Sequence, residues 1–173
     1  MKLKRIIPLL IALSVLTAHA GKITTTFADV EDFTDFSVSG LSEEKTLGIF
    51  LSELEDELEN FANRYIKDDS VLEIHFTDID MVGDIQPWRN RHNADIRYIE
   101  RIYPPRLRFS YVLKNPDGKV IAEGEESIAD LAFDFNVIAP IRSQHMYFFY
   151  ETNLLGDWIR KTIRAVSSKP AQD

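Results

Sequence analysis

From Val71 to Thr77 the chain alternates strictly, with Leu72, Ile74 and Phe76 on one face and Glu73, His75 and Thr77 on the other. A strand that is apolar on one side only belongs in a sheet covered on one face. That steers the fold away from a doubly covered parallel sheet. The same stretch then runs into Asp78, Asp80 and Asp84 around Gly83, and Pro87 ends any further pairing. A strand that leaves a buried face for a carboxylate-bearing loop is the candidate functional edge of this chain.

Other segments repeat the alternation. Lys22 to Phe27 reads as a Thr-rich first strand, followed by a loop to Gly40 pinned by Phe33 and Phe36. Ala94 to Ile102 sets Ile96, Tyr98 and Ile102 against Asp95, Arg97 and Arg101, and Leu107, Phe109, Tyr111 and Leu113 share a face beyond Pro104-Pro105. Asn115-Pro116-Asp117-Gly118 is a turn signal, Pro suiting its second position and Gly a positive φ at its exit. A returning strand from Lys119 to about Ile128 pairs on paper as Leu113 with Val120 and Arg108 with Glu125.

Two helices complete the inventory. Ser42 is an N-cap ahead of Glu43 and Glu44, and Leu47, Leu51, Leu54, Leu58, Phe61 and Tyr65 follow in steps of three and four to about Ile66. The opposite face, with Glu53, Asp56, Glu57, Asn60 and Arg64, reads as a solvated surface. Asp130 to Ile141 is ambiguous. Ser143 then opens a second helix whose inner side carries Met146, Phe149, Tyr150, Leu154, Leu155, Trp158, Ile159 and Ile163. The expected fold is α+β: an antiparallel sheet of about five strands, near Ile23, Ile74, Tyr98, Phe109 and Val120, with both helices packed on one face. One domain spans residues 21–166, and residues 167–173 form a disordered tail.

The first 20 residues read as a targeting segment. Lys2, Lys4 and Arg5 precede an apolar run from Ile6 to Leu16, and Ala18-His19-Ala20 is a small-x-small cleavage site. Cleavage after Ala20 leaves a soluble periplasmic or secreted chain with no membrane insertion. There is no cysteine, which rules out lipid attachment through one and leaves stability to the core. The formal net charge is −8, and loss of the basic leader makes the chain still more acidic. That argues against nucleic acid and against anionic headgroups as partners.

Three acids near one turn have the residue types for acid–base work or for a hard cation. The run nonetheless lacks the order of an EF-hand loop, and capping of backbone amides at a strand end is the stronger reading. His75, His92 and His145 fall on separate elements without ligand spacing, and no nucleophile, phosphate-loop or dinucleotide motif occurs. No catalytic residue, metal site or cofactor is assigned. Arg97, Arg101, Arg106 and Arg108 are read as pairing across strands with Glu123, Glu125 and Asp95, or else as an anion site. Trp88, Tyr103, Tyr147 and Phe148 are either an aromatic recognition patch or core. The tentative binding set is Asp78, Asp80, Asp84, Arg97 and Arg106.

The order of short motifs is more specific than any one of them. Thr77 to Asp84 with Pro87, then Asp95-Ile96-Arg97, then Pro105 to Tyr111 resembles a bacterial exported family known as domain of unknown function 3016. Gly124-Glu125, Asp130, Tyr150-Glu151, Leu155 and Asp157-Trp158 resemble its C-terminal half, and Phe27 to Asp35 extends the likeness over nearly the whole mature chain. The chain departs from that pattern at Thr152, where a basic residue is usual, and at Tyr103. The resemblance implies an exported single domain and names no activity. Three functions stay open: a non-catalytic domain binding an envelope protein or component, a small-molecule or divalent-metal module using the Asp78–Asp84 loop, and a hydrolase with an unfamiliar site.

Overall fold

In the computed structural model the described residues are 21–38, 40–66, 69–89, 94–135 and 146–167. The leader, His92, His145, the expected helix start at Ser143 and residues 168–173 of the expected tail lie outside them. In chain order the elements are β1 (Lys22–Phe27), α1 (Glu43–Tyr65), β2 (Val71–Asp80), β3 (Asp84–Ile85), β4 (Arg97–Tyr98), β5 (Arg106–Lys114), β6 (Val120–Ala129) and α2 (Phe149–Ser167). Short 3-10 turns cover Val30–Asp32 and Phe133–Phe135.

The fold is α+β, but its sheet is mixed rather than antiparallel. Four strands run in the order β1-β2-β5-β6, with β1 parallel to β2 and the other pairs antiparallel. The cause lies in the connection. The 23 residues of α1 separate β1 from β2, and a strand–helix–strand crossover returns the chain in its original direction. The Tyr98 segment is not a fifth strand of this sheet. β4 is only two residues long and pairs with β3 in a separate antiparallel ladder, Asp84 opposite Tyr98 and Ile85 opposite Arg97.

The β5–β6 register also differs from the paper pairing. Leu113 faces Ala122, Tyr111 faces Gly124 and Arg108 faces Ser127, with a bulge after Lys114↔Val120. The turn sets this. Gly118 donates to the Asn115 carbonyl at 2.9 Å, Asn115 donates to the Lys119 carbonyl at 2.9 Å, and Lys119 returns a bond to Asn115 Oδ1. Closing the loop there puts Lys114, not Leu113, opposite Val120, and the bulge adds one residue more.

α1 matches its expected span, yet it is rotated relative to the Leu stripe. Thr46, Phe50, Leu54 and Ala62 are its buried residues, while Leu51 is exposed. Phe50 draws the helix round because it alone meets the rings of Phe27, Phe36, Phe76 and Phe148, at centroid distances of 6.1, 6.1, 6.1 and 4.9 Å. Ser42 sits at the N-cap without a side-chain bond. On the other side of the core, Trp158 of α2 meets Phe109 at 4.7 Å and Tyr111 at 4.9 Å. The helices touch where Gly156 presents no side chain: a Cβ there would lie 2.5 Å from the Phe61 ring. Among the described residues, no helix is long and apolar enough to cross a membrane.

Candidate functional site

β2 carries its alternation as far as Phe76, and a bulge between Phe76 and Asp78 then resets it. Ile79, not Asp78, continues the buried face. Asp78 is swung to the sheet rim, where it accepts from the Thr34 amide at 2.7 Å and the Thr34 hydroxyl at 3.2 Å. Arg108 stands 3.5 Å from the same carboxylate. The donors therefore come from the loop after β1 and from β5. Two residues on, Asp80 lies 3.8 Å from Arg106. Burial, then the nearby Asp35 and Asp78 carboxylates, raise its pKa, against the pull of Arg106 and Arg97.

Arg97 ties these loops together. Its guanidinium forks onto Asp35 at 2.7 and 3.0 Å and also reaches the carbonyls of Ser37 (2.9 Å), Gly83 (3.2 Å) and Asp35 (3.3 Å). Asp35 is held at φ 45°, a left-handed conformation that an aspartate tolerates better than most residues. Gly83 is required where it stands. Its φ is +81°, and a Cβ would lie 2.5 Å from the Tyr98 carbonyl oxygen. Arg97 therefore joins the loop after β1, the Gly83 turn and β4.

The arginines pair with acids as expected, but with different acids: Asp35, Asp134, Asp80 and Asp78 for Arg97, Arg101, Arg106 and Arg108. The expected partners were chosen from a pairing register two residues out and from a fifth strand that does not form. Of the five tentative binding residues, Asp78, Asp80, Arg97 and Arg106 share one charge network. Asp84 stands beyond the Gly83 turn, its backbone paired with Tyr98. Among the described residues, no group of three or more His, Asp or Glu side chains is placed to hold a metal ion. His75 accepts or donates to the Thr26 hydroxyl at 2.9 Å.

Two further carboxylates, neither of them among the tentative binding residues, hold α2 in place. Glu151, fully buried, accepts from the Val82 amide at 2.7 Å, while its second oxygen finds no hydrogen bond among the described residues. Burial above all, helped by Glu53, pushes its pKa up to about 7, although the Val82 amide, its own backbone amide and Arg97 pull it down. Glu53, assigned from sequence to a solvated face, instead accepts from the Tyr147 and Phe148 amides at 2.9 Å each, just ahead of α2. A sequence signal for Glu151 did exist: it falls on the α2 stripe with Phe148, Leu155 and Trp158, where an acid is out of place. Thr152, at the position that departs from the family pattern, is buried and donates to the Phe148 carbonyl at 2.7 Å.

Beside this network lies an apolar groove of 310 Å³, walled by Val38, Met81, Val82, Ile96, Ile99 and Tyr147, with Arg97 beneath. Ile99 and Tyr147 are exposed along it. Trp88 (74%) and Ile102 (72%) are exposed on the same excursion between β3 and β5. Arg89 lies over the Tyr98 ring at 4.5 Å and bonds Glu100 at 2.6 Å, and Arg101 lies over Phe135 at 4.8 Å. The expected aromatic patch divides: Trp88 and Tyr147 are exposed, and Phe148 is core.

Comparison with known proteins adds one informative likeness. No curated protein matches. Among solved structures, the 2.35 Å crystal structure of a minor lipoprotein from Acinetobacter baumannii aligns over 87% of this chain and 93% of its own, at 10% identity and a TM-score of 0.28. Identity and score that low carry no argument about fold or role. A family model described as "Protein of unknown function (DUF3016)" matches residues 21–161.

Proposed function

This chain belongs to the DUF3016 family, and we propose that it serves as an exported, non-catalytic domain that binds a protein partner of the cell envelope. The observation that carries this reading is the set of exposed apolar side chains, Trp88, Ile96, Ile99, Ile102 and Tyr147, on the excursion between β3 and β5 and at the start of α2. Large apolar residues held outward by a braced loop are the raw material of an interface. Arg97 and Glu151 supply the bracing. The occupant is an aliphatic or aromatic segment of that partner, because the groove walls are mostly apolar. In this reading both helices cover the same face of the sheet. Phe50 and Trp158 support it, meeting the cross-strand neighbours Phe76 and Phe109.

Export rests on the leader, with Gly21 as the first residue of the mature protein. The family match also begins at residue 21. N-terminal sequencing of envelope material tests this, and retained leader residues overturn it. For the binding role, a photo-crosslinking residue placed at Ile99 or Tyr147 in cells yields a discrete protein adduct. No adduct from either position, with adducts equally absent in growing and stressed cells, counts against the reading. A cation or small molecule at Asp78, Asp80 and Asp84 ranks second, because Asp78 and Asp80 already face arginines. Calorimetry with calcium, magnesium, zinc and manganese decides it.

A further inference from the structure

A second surface, apart from the groove at Tyr147, lies at the outer edge of the sheet. β1 ends the strand order, and its pairing with β2 uses alternate residues: Lys22 donates to the Ser70 carbonyl and Ala28 to the Phe76 carbonyl, both at 2.9 Å. In a parallel ladder that parity assigns the backbone groups of Thr24 and Thr26 to β2 as well. The amides and carbonyls of Ile23, Thr25 and Phe27 are left pointing outward. Among the described residues, nothing pairs with them. Edges of this kind are usually blunted by proline, a bulge or charged side chains, lysine above all; within its six residues β1 has no proline and no bulge, and only Lys22, at its first position, carries a charge.

The open edge borders a groove of 540 Å³ between β1 and α1. Its floor is apolar, from Ile23, Leu51, Leu54, Leu58 and Ala62, and Leu51 is exposed there because α1 is rotated toward Phe50. Glu55 and Glu59, both exposed, outnumber the single base Lys22 at its rim. Backbone groups in a row beside an apolar trough are the two halves of strand-addition recognition: main-chain bonds supply affinity, and alternate side chains drop into the trough.

We propose that β1 accepts an extended segment of a partner protein as an added strand, with apolar residues facing α1 and lysine or arginine meeting Glu55 and Glu59. A second copy of this chain is the poorer occupant, because edge-to-edge docking brings both pairs of acids together in an already acidic protein.

The test uses a fluorescent eight-residue peptide in which threonine alternates with valine and lysine in turn, so that valines and lysines share the α1-facing side of the added strand; it is titrated into the purified protein and followed by anisotropy. It binds saturably and more weakly as salt rises, and the same peptide with glutamate for lysine binds at least tenfold more weakly. Two N-methylated versions carry the methyl on every threonine amide or on every valine and lysine amide. An added strand shows its partner only one of these sets, so one version loses at least tenfold and the other binds nearly as before. Thr25→Pro removes an outward amide and leaves the bonds to β2 in place, and it reduces binding at least tenfold. Should that variant misfold, Glu55→Lys with Glu59→Lys, both on exposed helix positions, gives the same loss. Equal binding of the two methylated peptides, or none by the unmodified one, overturns the proposal. It does so independently of the Ile99 and Tyr147 crosslinks, which report on a different face.

Discussion

Arg97 grips both carboxylate oxygens of Asp35, 62 positions earlier in the chain, and with the same two nitrogens holds the Ser37 and Gly83 carbonyls. The arginine side chain is only 11% exposed and that of Asp35 32%, so removal of the arginine leaves three carbonyls short of a donor while water reaches part of the carboxylate. Arg97→Ala is expected to destabilise by about 1–3 kcal/mol, below the range for a fully buried pair because Asp35 is partly solvated. Arg97→Lys recovers only part, because an ammonium cannot fork across a carboxylate and two carbonyls at once. Denaturant melts of both variants and of Asp35→Ala check this. In the double variant, the losses fall short of additive by about 1–3 kcal/mol.

Asp78 is expected to act as a structural clasp between β2 and the loop after β1. Asp78→Ala hands the exposed Thr34 amide and hydroxyl to water and costs about 0.5–1.5 kcal/mol, the net worth of a hydrogen bond. Asp78→Asn keeps one acceptor and falls between the alanine variant and wild type. Thermal melts order the three proteins. If both variants melt like wild type yet lose a ligand or partner, the carboxylate belongs to a binding site instead.

What the sequence made legible was periodic. The Leu72–Phe76 alternation, the span of α1 and the Asn115–Gly118 turn all stand where pattern puts them, because each is decided by near neighbours. The errors lie in direction, register and partner choice. The parallel pairing of β1 was implied by the helix after it, but an alternating Thr-rich strand carries no mark of direction. The bulge at Asp78 breaks a period that the residue types continue, and the β6 register depends on how Asn115 closes its loop. Asp35, Glu53 and the hydroxyl-bearing Thr34 were missed as site residues because polar side chains in a loop or on a helix face read as solvated until a partner dozens of residues away is placed against them. Glu151 alone announced itself, as an acid on an apolar stripe.

Gly83 provides a test that needs no charge. Its φ of +81° disfavours any side chain, and a Cβ would collide with the Tyr98 carbonyl that β3 and β4 present to each other. Gly83→Ala is therefore expected to destabilise by roughly 1–3 kcal/mol, as strained backbone does. The damage is local. Hydrogen exchange should quicken in β3 and β4 while the amides of β2 and β5 keep their protection.

Glu151 gives the pH dependence a sign. Its pKa is raised from 4.5 to about 7 in the folded chain, chiefly by burial. Between those values the folded state holds a proton that the unfolded state has released. Stability therefore falls as pH rises through that window and levels off above it. A shift of this size corresponds to about 3 kcal/mol at most. Asp80, raised by burial and by Asp35, works in the same sense in the acid range. Glu151→Gln keeps an oxygen for the Val82 amide but has no charge to bury. Between about pH 5 and about pH 8 the wild-type melting temperature should decline while that of Glu151→Gln stays nearly level. The two should converge at the acid end, with the variant the more stable at the alkaline end. Parallel slopes would mean that Glu151 is ionised throughout, with Arg97 and the Val82 amide outweighing its burial, and that the pH response belongs to other groups.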